Sequence, residues 1–440
     1  MTDNYLIILA AGKGTRMRSN LPKVLHELAG FPMLGHVIDN GLGAGFTHIC
    51  LVTAPDQDEV REMAQHHYPN IMHAIQKQAL GTGDAVRAAL DMVPEESLVT
   101  VVFGDTPLLH SGVLTKMMQT SSDLLVLGFV PHDPARFGRI QTEKGHPTAI
   151  VEFKDADEKT REIRLCNGGA MSLKGTILHK YLPKLEANNA QGEYYLTDLV
   201  AMAHADGCRI GLLEGLPEDV LGVDHQEALA QAEKIIQNRL RQKHLQNGVQ
   251  MEDPSSVFFR YDTQIEAGAS LEPNIYFGKG VTLEADVKIR AFSHIEGAYI
   301  RSGAQIGPFA RLREGTDVGS GGKIGNFVET KKAKLATGVK VNHLSYIGDA
   351  EIGEHANIGA GTITCNYDGF NKHVTRIGAG AFIGSNSSLI APVTIGAGAY
   401  LGSGTAISGE VAADDLAVTR GERRIVAGWA RKFRAKNQKK

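Results

Sequence analysis

The sequence predicts two fold classes in succession: a Rossmann-like α/β domain with a mostly parallel sheet, then a left-handed parallel β-helix of six-residue (hexapeptide) repeats. The first prediction rests on short apolar runs that alternate with helical segments in the first half of the chain. The second rests on aliphatic residues that recur every six positions in the second half. Glycine supports it as well, since 50 of the 440 residues are glycine, against a usual share of about 7%.

The first half of the chain supplies the elements of the α/β domain. Residues 5–11 form an apolar run that ends in a glycine-rich turn, which predicts a buried strand. Further strands are predicted at 48–52 and 98–103, with helices at 34–41, 57–66 and 83–90. Strands that alternate with helices indicate βαβ units, and we expect this pattern to continue to about residue 223.

A long helical segment follows the α/β domain. Leu229, Ala232, Ile236 and Leu240 recur every three or four residues, and Asn247-Gly248 is a stop signal. The predicted organisation is therefore an α/β domain at 1–223, a linker helix at 224–249, and a β-helix with a basic C-terminal tail at 250–440.

The repeats of the second half fall into two runs with the same spacing. Aliphatic residues step by six from Ile300 to Ile324, and again from Ile377 to Ile407. Three such units complete one triangular coil, whose aliphatic side chains point inward and stack on the next coil. The repeat shifts by one residue near 346–352, and residues 364–376 depart from it altogether. Since that stretch contains a turn signal, Asn366-Tyr367-Asp368-Gly369, we expect an extruded loop.

The composition narrows the partners and the compartment. A net charge of −3 gives no global attraction to nucleic acid or to a membrane, and the first residues resemble neither a signal peptide nor a membrane span. The spacing of Cys50, Cys166, Cys208 and Cys365 fits no metal site or disulfide framework. We therefore expect a cytoplasmic protein with free thiols that acts on small molecules.

A phosphate-binding turn is predicted after the first strand. Residues 9–17 read Leu-Ala-Ala-Gly-Lys-Gly-Thr-Arg-Met, and Pro22-Lys23 follows. Backbone N–H groups of such a turn can face a polyphosphate, and Arg16 and Lys23 would neutralise it. The turn lacks the Gly-Lys-Ser/Thr of a P-loop, and Met17 replaces the third glycine of a dinucleotide fingerprint. A plain glycine turn with surface cations is the alternative.

A metal-binding carboxylate is predicted at the end of a later strand. Asp105 follows Phe103-Gly104, and the carboxyl ends of parallel strands are where open α/β sheets bind ligands. A carboxylate there suits Mg²⁺, which takes one or two carboxylates together with substrate phosphates. The alternative is that Asp105 only caps the next turn.

His343 is the candidate base of the second half. It lies beside the shift in the repeat and about one coil before the extruded loop. Acyl transfer from a thioester to an amine needs a base, and histidine serves near neutral pH; Glu329 could orient it. Taken alone, the pattern also fits a structural or surface histidine. The basic tail, residues 420–440, is either a solvated end or a segment that meets an anionic ligand such as the phosphates of coenzyme A.

These motifs together resemble those of a known family. The first motif, then Gln76, Leu80-Gly81-Thr82-Gly83 and Gly104-Asp105, resemble the sugar-1-phosphate nucleotidyltransferases. Residues 137–140, Phe-Gly-Arg-Ile, residues 151–156, Val-Glu-Phe-Lys-Asp-Ala, and the six-residue repeats extend the resemblance over the whole chain. That family is the bacterial bifunctional N-acetylglucosamine-1-phosphate uridylyltransferases and glucosamine-1-phosphate N-acetyltransferases.

For the first half, the resemblance implies a complete nucleotide, sugar and metal site. The implied nucleotide contacts are Leu9, Ala10, Ala11, Gly12, Gln76, Gly81 and Thr82. The implied catalytic cations are Arg16 and Lys23, the sugar contacts are Gly138, Glu152 and Asn167, and the Mg²⁺ ligands are Asp105 and Asp224.

Three positions of the first half depart from the family's usual residues, and in the second half Ser403 stands where relatives more often have Ala. Asp224 stands where the family usually has Asn, so we expect the metal site to persist with altered affinity. Ala79 replaces a usual Gln, and Phe103 replaces a usual Tyr. The last two changes affect nucleotide contacts rather than the reaction.

For the second half, the resemblance implies an acetyl-transfer site with His343 as base. The implied sugar-phosphate contacts are Arg313, Lys331, Tyr346, Asn357 and Lys372. The implied acetyl-CoA contacts are Ala360, Asn366, Tyr367, Ser385, Ser403 and Arg420. The resemblance further implies a homotrimer that shares this site between subunits.

The expected function is therefore acetylation of glucosamine 1-phosphate by the second half, followed by transfer of UMP from UTP by the first half. One alternative is a single-activity nucleotidyltransferase whose β-helix is only structural. The other is a non-catalytic scaffold of similar build.

Overall fold

The structure is a computed structural model that describes residues 3–134, 136–419, 421 and 425–437. The chain divides into two compact units, Met1–Arg239 and Leu240–Lys440. The division falls inside a long helix, Gln226–Gln246, which the sequence predicts from residue 224 to 246. No helix in the described part of the chain is both long and apolar enough to cross a membrane.

The strands of the first unit form one large sheet and one small hairpin. In chain order they are β1 (Asn4–Leu9), β2 (Glu27–Leu28), β3 (Phe31–Pro32), β4 (His48–Thr53), β5 (Met72–Ile75), β6 (Leu98–Phe103), β7 (Leu124–Phe129), β8 (Arg139–Glu143), β9 (His146–Val151), β10 (Cys166–Lys174) and β11 (Ile210–Glu214). The main sheet has the order β11-β7-β10-β6-β1-β4-β5, with β8 and β9 attached through β10. In it β1 lies parallel to both β4 and β6.

The mostly parallel sheet is confirmed, but the strict alternation of strands and helices ends earlier than expected. After β7 the chain forms the antiparallel hairpin of β8 and β9. It then returns as β10, antiparallel to both β6 and β7. The expectation that βαβ units continue to residue 223 was therefore wrong, because strand direction is reversed by the hairpin.

Helices cover the sheet. They are α1 (Met33–Ala44), α2 (Asp58–His67), α3 (Thr82–Arg87), α4 (Ser111–Met118), α5 (Glu158–Arg161), α6 (Gly175–Tyr181), α7 (Asp198–Ala205) and α8 (Gln226–Gln246), with 3₁₀ turns at Thr15–Met17, Lys23–Leu25, Leu90–Met92 and Leu182–Lys184. Ile7 and Ile8 of β1 belong to different apolar clusters, as alternating side chains of a strand do. Because β1 is packed on both faces of the sheet, its C-terminal end is held in place, and the glycine-rich turn begins there.

The second unit is the parallel β-helix. Its strands are β12 (Gln250–Met251), β13 (Val257–Phe258), β14 (Gln264–Ile265), β15 (Ser270–Leu271), β16 (Ile275–Phe277), β17 (Thr282–Leu283), β18 (Lys288–Ile289), β19 (His294–Ile295), β20 (Ala298–Ile300), β21 (Gln305–Ile306), β22 (Arg311–Leu312), β23 (Thr316–Val318), β24 (Lys323–Asn326), β25 (Glu329–Leu335), β26 (Lys340–His343), β27 (Tyr346–Ile352), β28 (Asn357–Ile358), β29 (Ile363–Cys365), β30 (Thr375–Ile377), β31 (Phe382–Ile383), β32 (Ser388–Ile395), β33 (Tyr400–Leu401), β34 (Ala406–Val411) and β35 (Leu416–Ala417). A 3₁₀ turn, Pro254–Ser256, precedes β13, and a helix, α9 (Trp429–Asn437), lies in the tail.

The coils of this β-helix differ in length. Ser270 pairs in parallel with Lys288, which is a full coil of three repeats, whereas Lys288 pairs with Gln305, which makes the next coil one position shorter. The inward aliphatic residues stack as predicted, since Ile289, Ile306 and Ile324 are all buried. The shorter coils account for the shift that the sequence shows near 346–352, because they lack one position of three complete repeats.

The extruded loop is confirmed between β29 and β30. The coil that contains it is longer than the others, since Asn357 pairs directly with Phe382. Residues at both ends of the predicted loop belong instead to β29 and β30. Within the loop, Asp368 accepts the N–H groups of Phe370 and Asn371. These bonds hold the pKa of Asp368 well below its ordinary value.

Candidate active sites

A cavity of about 320 Å³ lies at the carboxyl ends of β1 and β6 in the first unit. It contains all seven expected nucleotide contacts, together with one expected metal carboxylate and one expected catalytic cation. The predicted residues that line it are Leu9, Ala10, Ala11, Gly12, Lys23, Gln76, Gly81, Thr82 and Asp105. Lys13, Val24, Ala79, Ala85, Phe103 and Glu193 complete the lining.

Two glycines allow the backbone around this cavity to approach its neighbours. Gly14 has a φ of 60°, and a Cβ there would lie 2.6 Å from the Cβ of Lys23. Gly81 has a φ of 108°, and its Cβ would lie 2.7 Å from the carbonyl oxygen of Tyr194. Both positions therefore need glycine for conformation and for space. The turn closes on Lys23 as a result.

The predicted cations and metal carboxylates form two ion pairs. Arg16 Nη1 lies 2.5 Å from Asp224 Oδ2, and Lys23 Nζ pairs with Asp105 Oδ2. The N–H of Val223 donates to the carbonyl oxygen of Asp105 at 2.8 Å, which joins the two carboxylate segments. The structure therefore brings all four residues together, although Arg16 and Asp224 do not line the cavity itself.

This donor set fits Mg²⁺. In the part of the chain that the structure describes, no group of three or more His, Cys, Asp or Glu side chains could hold a metal. A closed structural site is therefore not found there. Two carboxylates, Asp105 and Asp224, suit an ion that completes its octahedron with water and substrate phosphates.

The three expected sugar contacts lie together as well. The N–H of Asn167 donates to the carbonyl oxygen of Gly138 at 2.9 Å, and a Cβ on Gly138 would lie 3.3 Å from Glu152 Oε2. Thr197 Oγ1 donates to Glu152 Oε1 at 3.2 Å. Burial is the main cause that raises the pKa of Glu152 above its ordinary value, and the charge of Asp198 adds to it.

One loop segment before α7 connects the sugar and nucleotide groups. The N–H of Tyr194 donates to the carbonyl oxygen of Leu80, and the N–H of Leu196 donates to Thr82 Oγ1 at 3.0 Å. Glu193 and Thr197, which belong to the same segment, were not predicted from the sequence. Their only signal was a polar stretch before a helix, and such stretches are common. This segment therefore contacts both the nucleotide residues, through Glu193 in the cavity lining, and the sugar residues, through Thr197.

In the second unit, the expected base and three of the six expected acetyl-CoA contacts lie along one edge of a sheet. His343, Ala360, Ser385 and Ser403 lie at or just after the ends of strands β26, β28, β31 and β33, which are neighbours in one sheet. The carbonyl oxygens of the first three accept N–H groups of the next coil: His343 from Gly361, Ala360 from Asn386, and Ser385 from Gly404. Arg420, also expected to contact acetyl-CoA, lies outside the described residues.

The partner of His343 differs from the expected one. His343 Nδ1 lies 2.7 Å from Asn326 Oδ1, whereas Glu329 accepts from Arg313 Nη1 at 2.9 Å. The expectation that Glu329 orients His343 was wrong, because Glu329 lies around the corner of the coil in β25. An amide oxygen can only accept, so Nδ1 carries the hydrogen and Nε2 presents its lone pair.

Three expected sugar-phosphate cations form a cluster. The positive charges of Lys372 and Arg313 lower the pKa of Lys331. Lys331 pairs in register with Gly348 of the next coil, and Arg313 N–H donates to Thr330 on the next coil's strand. The positive charge of these three side chains suits an anion such as a phosphate.

Tyr346 and Asn366 meet above Gly348. A Cβ on Gly348 would lie 2.8 Å from Asn366 Nδ2 and would also collide with the phenol of Tyr346. Asn366 Nδ2 donates to Asp349 Oδ2. Tyr367 is exposed, and its hydroxyl donates to the carbonyl oxygen of Gly369 within the loop.

Asn357, the remaining expected sugar-phosphate contact, lies on a different sheet from the cluster of Arg313, Lys331 and Lys372. It lies in β28, paired with Lys340 and Phe382, whereas Arg313, Lys331 and Tyr346 belong to strands of the other sheet or directly follow one of them.

Comparison with known families assigns a class to each unit. Residues 6–171 match the model of the MobA-like NTP transferase domain. Residues 375–409 match the bacterial transferase hexapeptide, six repeats. The chain is therefore a transferase in which a nucleotidyltransferase domain precedes a hexapeptide-repeat domain.

Full-length relatives make the assignment specific. The chain is 48% identical over 436 residues to the bifunctional protein GlmU of Azorhizobium caulinodans, covering 98% of this chain and 97% of the relative. It is 45% identical over 443 residues to that of Paramagnetospirillum magneticum, with 99% and 97% covered, and 44% identical over 441 residues to that of Zymomonas mobilis, with 99% and 98% covered. The chain belongs to the GlmU family of bifunctional enzymes.

Proposed function

We propose that the chain makes UDP-N-acetylglucosamine in two steps at two sites. The second unit acetylates glucosamine 1-phosphate with acetyl-CoA. The first unit then transfers UMP from UTP to N-acetylglucosamine 1-phosphate and releases pyrophosphate. The observation that carries the proposal is that each compact unit holds its own reactive group of side chains: Arg16, Lys23, Asp105 and Asp224 in one, and His343 beside a cationic cluster in the other.

In the first unit, catalysis depends on placement and charge. A phosphate oxygen of the sugar attacks the α-phosphorus of UTP in line, and pyrophosphate leaves. Lys23, whose ammonium lines the cavity, and Arg16 stabilise the negative charge that develops. Asp105 and Asp224 would hold Mg²⁺, which would supply further neutralisation of the polyphosphate. Glu152 accepts hydrogen bonds from the amino sugar, which orients its phosphate toward UTP.

In the second unit, the amine must lose a proton before it attacks the thioester. Nε2 of His343 takes that proton, since Asn326 fixes the hydrogen on Nδ1. Arg313, Lys331 and Lys372 bind the sugar phosphate. The neutral amine then attacks the thioester carbonyl. As the amide forms, the nitrogen gives up a second proton and the carbon–sulfur bond breaks; coenzyme A leaves as the thiol with one of the two protons, and the other passes to solvent.

We also propose that the protein is a cytosolic homotrimer whose acetyl-transfer site is shared between subunits. An exposed ladder of stacked rings supports self-association: Phe292, Phe309 and Phe327 are 54%, 46% and 56% exposed, with ring centroids 4.9 and 5.2 Å apart. The position of Asn357 on a different sheet supports sharing, because a neighbouring chain could present it to the cluster. The four cysteines are free, which suits a reducing cytosol.

Product release tests the two activities. The protein, supplied with glucosamine 1-phosphate, acetyl-CoA, UTP and Mg²⁺, should release free thiol and pyrophosphate. Asp105→Ala should abolish pyrophosphate release and spare thiol release, and His343→Ala should do the reverse when acetylated sugar is supplied. Pyrophosphate without any thiol from the unaltered protein would favour a single-activity enzyme with a structural β-helix.

Sedimentation and subunit exchange test the trimer. The mass in solution should be three times that of the chain. His343→Ala and Asn357→Ala proteins, dissociated and reassembled together, should regain acetyl transfer that neither shows alone, whereas undissociated mixtures should not. A monomeric mass, or no recovery from mixed trimers, would contradict the shared site.

A further inference from the structure

Each phosphate-binding cation of the first unit is paired with a carboxylate of the proposed metal site. Arg16 Nη1 lies 2.5 Å from Asp224 Oδ2, and Lys23 pairs with Asp105. His225 Nε2 also faces Asp224, at 3.5 Å. A carboxylate oxygen that accepts from a guanidinium at this distance is not free to ligate a divalent cation, because the two positive charges would meet at one oxygen.

The two ion pairs differ in their freedom to separate. The Lys23 side chain is only 16% exposed, and Gly14 packs against its Cβ. The Arg16 side chain is 68% exposed, so it has room to turn. A metal that enters between the carboxylates therefore displaces Arg16 more readily than Lys23.

The backbone directly after Arg16 is anchored at Met17. The neighbouring Met17 is buried at 1% exposure, and its carbonyl oxygen accepts from Gln226 Nε2 at 3.1 Å. Because this anchor does not involve the guanidinium, the side chain of Arg16 can leave Asp224 while its Cα stays in place.

We propose that Asp224 is a latch: it holds Arg16 in the metal-free protein and releases it toward the polyphosphate when a divalent cation binds. The inference rests on the proposed function for the identity of the metal and nucleotide site. It depends on the negative charge of residue 224, since a neutral amide could ligate a metal but would hold a guanidinium far more weakly. Arg16 and the metal therefore compete for one carboxylate.

The competition can be measured as Mn²⁺ binding to nucleotide-free protein, by electron paramagnetic resonance of the free ion. Arg16→Gln should tighten Mn²⁺ binding about three- to fivefold, the range expected from loss of an exposed ion pair. Arg18→Gln removes the same charge two residues away and should change the affinity less than about twofold. Equal effects of the two substitutions, or weaker binding in Arg16→Gln, would overturn the latch.

A second measurement follows the released arginine. Asp224→Asn should tighten UTP binding in the presence of a chelator, measured by calorimetry, because Arg16 is then free to meet the phosphates. The gain should vanish in the double variant Arg16→Gln/Asp224→Asn. A gain that survives in the double variant, or no gain in Asp224→Asn, would overturn the proposal. Failure of the unaltered protein to bind UTP even with Mn²⁺ would instead count against the proposed function.

Discussion

The orientation of His343 depends on one amide. Asn326 Oδ1 lies 2.7 Å from Nδ1, so we expect Asn326→Ala to lower the rate of acetyl transfer about tenfold through loss of the correct tautomer. Asn326→Asp should keep the orientation and move the acid limb of the pH–rate profile to higher pH, because a carboxylate stabilises the imidazolium. Thiol release as a function of pH measures both effects, and uridylyl transfer is the internal control. An unshifted profile in Asn326→Asp would show that this contact does not govern the base.

Glu152 is an expected sugar contact, and burying its carboxylate lowers the stability of the folded protein at neutral pH. Burial raises its pKa, so folding favours the protonated form. The stability that this provides is present at low pH and is lost as the pH rises through the pKa of the folded state. We expect Glu152→Gln to raise the melting temperature by about 1–3 °C at neutral pH.

The same substitution should weaken the binding of N-acetylglucosamine 1-phosphate about five- to tenfold through loss of a charged acceptor. Scanning calorimetry and the KM for the sugar measure the two effects. An unchanged melting temperature at neutral pH would mean that the carboxylate is not strained by burial.

Single residues were predictable where they follow strand ends, and less so where the partner lies on another coil. The cavity motif around Gly12, Gly81 and Asp105 could be read directly from strand-plus-turn signals. The partner of His343 was assigned wrongly, although the parallel register of β24 and β26 places Asn326 directly below it. Thr197 reaches Glu152 only through tertiary packing, and no local pattern encodes that contact.

The C-terminal end of α8 carries a histidine that should make the second unit acid-sensitive. His244 is 3% exposed and its ring lies 4.7 Å from that of Phe259. Burial, with a smaller contribution from Lys243, lowers its pKa to about 4. The unfolded value is about 6.5, so the stability from neutral His244 is present above pH 6.5 and is lost as the pH falls toward 4.

We therefore expect His244→Phe to flatten the fall in melting temperature between pH 6.5 and pH 4, since phenylalanine cannot take up a proton. Thermal unfolding across this pH range is the measurement. The same substitution at exposed His66 serves as the control and should leave the slope unchanged. Parallel curves for His244→Phe and the unaltered protein would contradict a role for this ring.

Secondary-structure elements could be predicted where a regular spacing of apolar residues is visible in the sequence. Stacked aliphatic positions indicated the coils and exposed the loop between β29 and β30, because any insertion breaks a six-residue repeat. The direction of a strand has no such sequence pattern. The apolar run of β10 would be the same whether it paired parallel or antiparallel with β6 and β7. The antiparallel pairing of β10 was missed for that reason.

For the whole molecule, the change of period near residue 250 indicates two folds in one chain. The compact units divide at Arg239 and Leu240, inside α8. Each unit contains the residues of one proposed reaction, so the product of the second unit has to reach the first as a free intermediate or within one assembly.

Mixing two inactivated proteins distinguishes these routes. His343→Ala retains the nucleotidyltransferase site and Asp105→Ala retains the acetyltransferase site, so neither alone should convert glucosamine 1-phosphate into UDP-N-acetylglucosamine. Combined without dissociation, they should form it after a lag in which N-acetylglucosamine 1-phosphate accumulates in solution, because the acetylated sugar diffuses from one protein to the other. Chromatography of the nucleotide sugar over time is the measurement, and the unaltered protein at equal site concentration is the control. If the mixture makes no product while each variant keeps its remaining activity, the intermediate does not leave the molecule that forms it, and the two sites act only within one assembly.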